Sequence, residues 1–243
     1  MSINASNQKV ALVTGSTRGI GLAIAERLVA DGFRVVTNGR TTPEKIIGEE
    51  HIQADVTQRD DLSRLIEFVK MKFGNIDVLV CNVGSGKQLQ VIFPEDRWNH
   101  FISMNLFTAV YLIEGMIQES LLKNSKIIGI SSIASAKATS APIEYSASKA
   151  ALDSYFKNMA FSYANSGMNF NLLSLGNVLF PGSTWEEKIK INEDSVNSYV
   201  AENVPTNRFA TLDEIADVAS FLASTKCDFM TGSTITVDGG QSL

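Results

Sequence analysis

The chain is expected to fold as an α/β protein, a doubly wound parallel sheet of about seven strands with helices on both faces. Three observations carry this. Short apolar runs of strand length alternate with helical stretches along the sequence. A glycine-rich turn, Gly15-Ser16-Thr17-Arg18-Gly19-Ile20-Gly21, joins the first run to the first helix. No Pro-, Ser- or charge-rich linker interrupts the 243 residues, so one domain, 1–243, is predicted.

Val10-Ala11-Leu12-Val13-Thr14 is the first strand, and a helical period through Ile24, Leu28 and Val29 stops near Gly32. Further strands are predicted at 34–38, 51–54, 76–82, 126–131, 169–175 and 234–237, with helices at 58–73, 96–120, 143–165 and 212–224. Strands buried on both faces read as continuous apolar runs, as these do. Such sheets bind ligands beyond the carboxyl ends of their strands, where the strand order reverses.

Composition narrows the function. A net charge of −5, with Lys and Arg scattered, argues against nucleic acid or an anionic membrane as the main partner. The first residues lack the apolar centre of a signal peptide, and no apolar run approaches the roughly 18 residues that span a bilayer, so a cytoplasmic location is the expectation. Cys81 and Cys227 lie outside any C-x-x-C pattern and are expected as buried free thiols. His51 and His100 supply no metal-ligand set, and neither belongs to a hydrolase nucleophile motif.

The chemistry rests on two motifs. Tyr145 and Lys149 stand four residues apart on a predicted helix and so share a face, where a fixed ammonium favours the phenolate and equips the phenol to exchange a proton near neutrality. The glycine turn is read as a phosphate cradle. Gly15 takes the tight turn, Gly19 lets the backbone approach a phosphate, and Gly21 lets helix and strand pack closely. After the second strand the chain reads Asn38-Gly39-Arg40, with a guanidinium and no carboxylate to accept a ribose hydroxyl, so NADP(H) is favoured over NAD(H). Arg18 is a candidate second cation on the same phosphate; the plainer alternative for either Arg is a solvated surface charge.

These motifs resemble the short-chain dehydrogenase/reductase family from about Lys9 to Gly240: T-G-x-x-x-G-I-G at the glycine turn, Asp55 after the third strand, Asn105 in Met104-Asn105-Leu106, Ser132, and Y-x-x-x-K, in the family's order and spacing. The resemblance implies a Rossmann-type fold and hydride transfer between a nicotinamide and a carbonyl or secondary alcohol. It implies that Ser132 binds the substrate oxygen, Tyr145 moves its proton, Lys149 holds the ribose and lowers the phenol's pKa, and Asn105 anchors a proton-relaying water. Ser16, Thr17, Ile20, Asp55, Val56, Asn82, Gly84, Gly176 and Val178 would join the cofactor site, with Asp55 on the adenine amine. Ser131 is expected to face away from Ser132, because adjacent strand residues point to opposite sides.

The chain also departs from the family. Cys81-Asn82-Val83-Gly84 stands for the usual Asn-Asn-Ala-Gly, Leu175-Gly176 for Pro-Gly, and Phe180 for a Thr that touches the carboxamide. Residues 176–205 sit where the family has its substrate lid, with Gly182 as a candidate hinge and Trp185 either facing substrate or packed on the body. The short connection from Arg40 to Asp55 predicts a truncated third helix. For substrate, a 3-oxoacyl thioester on acyl carrier protein, with Lys123 and Lys126 as candidate docking cations, stands beside a keto sugar or polyol of a surface-sugar pathway. A non-catalytic NADP(H)-sensing protein is the third reading. Relatives assemble as tetramers or dimers, and the same is expected here.

Overall fold

The structure, a computed structural model, describes residues 8–243 apart from Gln88 and Ile92; most of the N-terminal leader expectation therefore lies outside the described residues. Seven parallel strands, β1 (Val10–Val13), β2 (Arg34–Gly39), β3 (Glu50–Gln53), β4 (Val78–Cys81), β5 (Lys126–Ser132), β6 (Asn169–Leu175) and β7 (Thr234–Val237), form one sheet in the order β3-β2-β1-β4-β5-β6-β7. The chain winds outward from β1 to β3, then returns to β4 on the other side of β1. That reversal opens a crevice past Val13 and Val80, which are paired in register.

The central strands β1 and β4 are buried along their whole length, so helices must cover both faces. On one side α1 (Gly19–Ala30) and α8 (Leu212–Ala223) bury Ile24, Leu28 and Ile215 against Val13, Val35 and Ile128. On the other, α2 (Arg59–Lys72), α4 (Thr108–Gln118) and α5 (Ile143–Ser162) bury Leu65, Leu112 and Phe156 against Leu12, Ile127 and Phe170. Each such side chain contributes about 1.5–3 kcal/mol, so this two-sided burial dominates the stability.

The elements differ from expectation in three places. The helix predicted at 96–120 is α3 (Pro94–Ile102), a π turn (Ser103–Phe107) and then α4. Its run, Pro94–Gln118, is long and apolar enough for a membrane span by composition, mean hydropathy 1.3, contrary to the reading of the sequence; 39% of that apolar window is buried, and Phe101, Ile113 and Met116 of the run sink into the core. Between β2 and β3 the third helix is absent altogether; the short connection runs as bends, and Gly48, at φ +84°, passes close to the Val35 carbonyl. Residues 176–205 hold two helices, α6 (Thr184–Ile191) and α7 (Glu193–Asn203), capped by Ser183 and Asn192.

Candidate active site

The glycine turn is shaped by its backbone. Gly15 and Gly19 sit at φ +62° and +56°, conformations that side chains resist. A methyl group at Gly21 would lie 2.5 Å from the Gly15 carbonyl, which is the close packing expected there. Asn82, at the end of β4, donates its amide to the Thr14 and Gly15 carbonyls at 2.9 and 3.1 Å, so it clamps the turn rather than reaching outward. Arg18 occupies the N-cap position of α1 with no side-chain cap, and the first residues of the helix, Gly19, Ile20 and Gly21, line the cavity.

Four of the predicted catalytic groups converge beside this turn. Tyr145 and Lys149 stand on α5, and Ser132 ends β5; all three line one cavity of about 1060 Å³ that also includes Gly15, Gly19 and Gly84. Asn105 lies just behind that wall, buried in the π turn, a deformation that often marks functional sites. Its amide donates to the Phe101 carbonyl at 3.0 Å, and its Oδ1 accepts from Ser85 N–H at 2.8 Å. Gly84 passes between Asn105 and Lys149: an added methyl would sit 2.8 Å from Asn105 Oδ1 and 3.0 Å from Lys149 Nζ.

The electrostatics correct one expectation. Lys149 donates to the Ile130 carbonyl at 2.7 Å, and burial lowers its pKa to about 8, with Asp153 and Cys81 opposing that fall. The Tyr145 phenol is pushed up by burial and drawn partway back by Ser132; Lys149, its ammonium turned onto Ile130, does not bring it down. Cys81, a buried free thiol like Cys227, is raised to about 12 by burial.

Ser131 and Ser132 both border the cavity, but Ser131 is bound to a different partner on α5. It donates to Asp153 Oδ1 at 2.5 Å, while Ser135 donates to the other oxygen at 2.6 Å. Asp153 extends the face of Tyr145 and Lys149 by one more turn and ties the end of β5 to α5. Sequence reading missed it, although its spacing four residues after Lys149 was the available signal.

The residues predicted for the adenine end lie beyond this cavity. Arg40, Asp55, Val56, Ser16 and Thr17 are not in the cavity wall. Arg40 is exposed just past β2. Asp55 spends Oδ1 on Thr57, accepting from its N–H at 3.0 Å and its hydroxyl at 2.7 Å, and Val56 is core. Ser16 bonds the Val13 carbonyl at 2.7 Å. Thr17 packs its methyl on Gly39. Arg18 extends to the lid, donating to the Gly182 carbonyl at 3.3 Å.

Residues 176–205, the expected lid, border the cavity from the other side. Phe180 rests its ring on Gly19, 2.6 Å from where a methyl group would be. Lys87, in the loop after β4, pairs with Glu187 of α6 at 2.9 Å. Trp185 both lines the cavity and packs on Tyr199 and Phe209, ring centroids 4.8 and 5.1 Å away, with Lys188 over its ring at 4.3 Å. Gly176, packed on Asp238, and Val178, bridged to Ala210, form the lid's base within the same wall. Lys126, a suggested docking cation, is committed to Asn169 and Asp228 at 2.7 and 2.6 Å. It begins β5 while Ser132 ends it, a separation of roughly 20 Å at 3.3 Å per residue.

Comparison with known proteins agrees with this geometry. A family model described as enoyl-(acyl carrier protein) reductase matches residues 15–242. The chain is 32% identical over 248 residues to the 3-oxoacyl-[acyl-carrier-protein] reductase of Haemophilus influenzae, covering 97% of this chain and 98% of that one. The L-sorbose reductase of Gluconobacter frateurii, solved with NADPH and L-sorbose, superposes with a TM-score of 0.87 at 28% identity over 96% of each chain. The ligand-free aldohexose dehydrogenase of Thermoplasma acidophilum gives 0.86 at 29% identity, covering 97% of this chain and 94% of that one. With its seven-stranded parallel sheet, its glycine turn and its full-length match, the chain belongs to the short-chain dehydrogenase/reductase family of oxidoreductases.

Proposed function

We propose that this chain is an NADP(H)-dependent oxidoreductase that interconverts a carbonyl and a secondary alcohol, with Tyr145 as its acid and base. The observation that carries the reading is the convergence of Ser132, Tyr145 and Lys149 in one cavity with the head of α1. The donor set suits a dinucleotide: helix N–H groups for a pyrophosphate, Lys149 for ribose hydroxyls, and Arg40 for a 2′-phosphate. When bound, the nicotinamide supplies or accepts the hydride. The protein's own groups do the rest. Ser132 orients the substrate oxygen, Tyr145 gives or takes its proton, and Asn105 holds the Ser85 loop against the site.

Both acyl-thioester and sugar enzymes stand among the relatives. The commitment of Lys126 to Asn169 and Asp228 weakens the docking face for an acidic carrier and favours a small free substrate.

NADPH oxidation followed by absorbance tests the assignment. Tyr145→Phe should lower kcat at least ~100-fold while leaving NADPH binding intact. Arg40→Asp should weaken NADPH by ~10-fold or more and leave NADH nearly unchanged; equal losses would exclude Arg40 from the phosphate site. Tight NADPH binding with no turnover of any carbonyl would favour the sensing protein instead.

A further inference from the structure

Beside the reacting phenol the cavity holds a charged pair that the hydride-transfer chemistry leaves unused. Arg97 lies on α3, one turn before Phe101 and on the same face; Glu144 lies in the first turn of α5, next to Tyr145. Arg97 Nε donates to Glu144 Oε1 at 3.0 Å, and the Phe101 ring meets the Tyr145 ring edge-on at 6.4 Å. The same two helices therefore carry both contacts. All four side chains line the cavity.

The pair is partly withdrawn from water, with side-chain exposures of 32% for Arg97 and 11% for Glu144. Glu144 is held ionised by its own N–H and by the Arg97 guanidinium, which keep its carboxyl below the usual range. Among the described residues, the two Nη groups of Arg97 make no hydrogen bond, and the Glu144 carboxylate accepts from one other side chain, that of Arg97, which leaves it room for a further donor. One wall thus offers spare donors beside a spare acceptor with no net charge, and the Thr139 and Ser140 hydroxyls stand in the same lining.

We propose that Arg97 and Glu144 form a hydroxyl-recognition subsite, and that the substrate is a neutral polyhydroxylated carbonyl, or its polyol, rather than an acyl thioester. This rests on the oxidoreductase reading above. A hydroxyl both donates and accepts, so a vicinal diol satisfies guanidinium and carboxylate together. A carboxylate or phosphate would match Arg97 but repel Glu144. An alkyl chain would strip water from both and return no hydrogen bond, and sites with buried donors and acceptors discriminate strongly against substrates that lack the matching group.

The test uses the full chain with NADPH and three probes: a ketohexose, 2,3-butanedione as a small carbonyl without hydroxyls, and acetoacetyl-N-acetylcysteamine as an acyl thioester. The wild type is expected to give its highest kcat/KM with the ketohexose. Arg97→Met and, separately, Glu144→Gln are expected to lower the ketohexose-to-butanedione ratio of kcat/KM by roughly tenfold or more, mainly through KM. A merely structural clamp between α3 and α5 would lower both substrates together and leave the ratio unchanged, which overturns the subsite. If Arg97→Met fails to fold, Arg97→Lys supplies the same ratio, since an ammonium keeps the charge but loses the planar fork. Preference of the wild type for the thioester overturns the inference and leaves the oxidoreductase reading standing. Turnover of none of the probes, with NADPH bound, overturns both.

Discussion

Lys149 shows at a single residue how burying an ammonium opposes stability. Its pKa falls to about 8 in the fold, against an ordinary 10.5. The unfolded chain therefore binds more protons between those values, and this group's contribution to stability rises with pH across that window and is least favourable below pH 8. Lys149→Met is expected to raise stability at pH 7 by about 1–3 kcal/mol and to flatten the rise between pH 8 and 9.5, while abolishing activity. Urea unfolding at the two pH values checks it; a variant less stable than wild type at pH 7 would mean that the bond to Ile130 outweighs desolvation. That Tyr145 and Lys149 share one face of α5 was legible in the sequence, because it depends on helical spacing alone. Arg97 with Glu144 was not, since its members lie 47 positions apart and meet only when α3 docks on α5.

Among elements, legibility followed burial. The sheet's strands showed themselves because residues covered on both faces form unbroken apolar runs. The lid helices α6 and α7 did not, because their sequence is largely polar: α6 buries no residue, and α7 buries only Val196 and Val200. The caps were the readable sign. Ser183 accepts from Glu186 N–H at 3.1 Å, in an S-x-x-E pattern that marks a helix start. The lid's hold on the body is correspondingly modest, since the Lys87–Glu187 pair is exposed and such pairs give about 0–1 kcal/mol. Phe180 on Gly19 supplies more. Phe180→Ala, removing ~1 kcal/mol of burial, should make cleavage within 177–191 about fivefold faster in limited proteolysis; an unchanged rate would show that the Trp185 cluster alone holds the lid.

On the scale of the whole molecule, the outer faces of two helices remain apolar. Phe107 and Tyr111 stack at 5.1 Å on the exposed side of the π turn and α4, and Phe161 on α5 is 88% exposed. Exposed aromatic patches of this kind mark interfaces, and two copies joined across α4 and α5 would cover them. Sedimentation is expected to show a dimer or tetramer that Tyr111→Glu dissociates; a wild-type monomer would count against it. At the far end of the chain, Gln241 accepts from Asn177 N–H at 3.2 Å and donates to the Tyr199 hydroxyl at 3.0 Å, while Lys137 holds the Gln241 carbonyl at 2.6 Å. Gln241 thus ties residues 177 and 199 together from a position beyond β7. Gln241→Ala would release Asn177 and Tyr199 together, so a change made beyond the last strand would reach the wall of the cavity that both residues line.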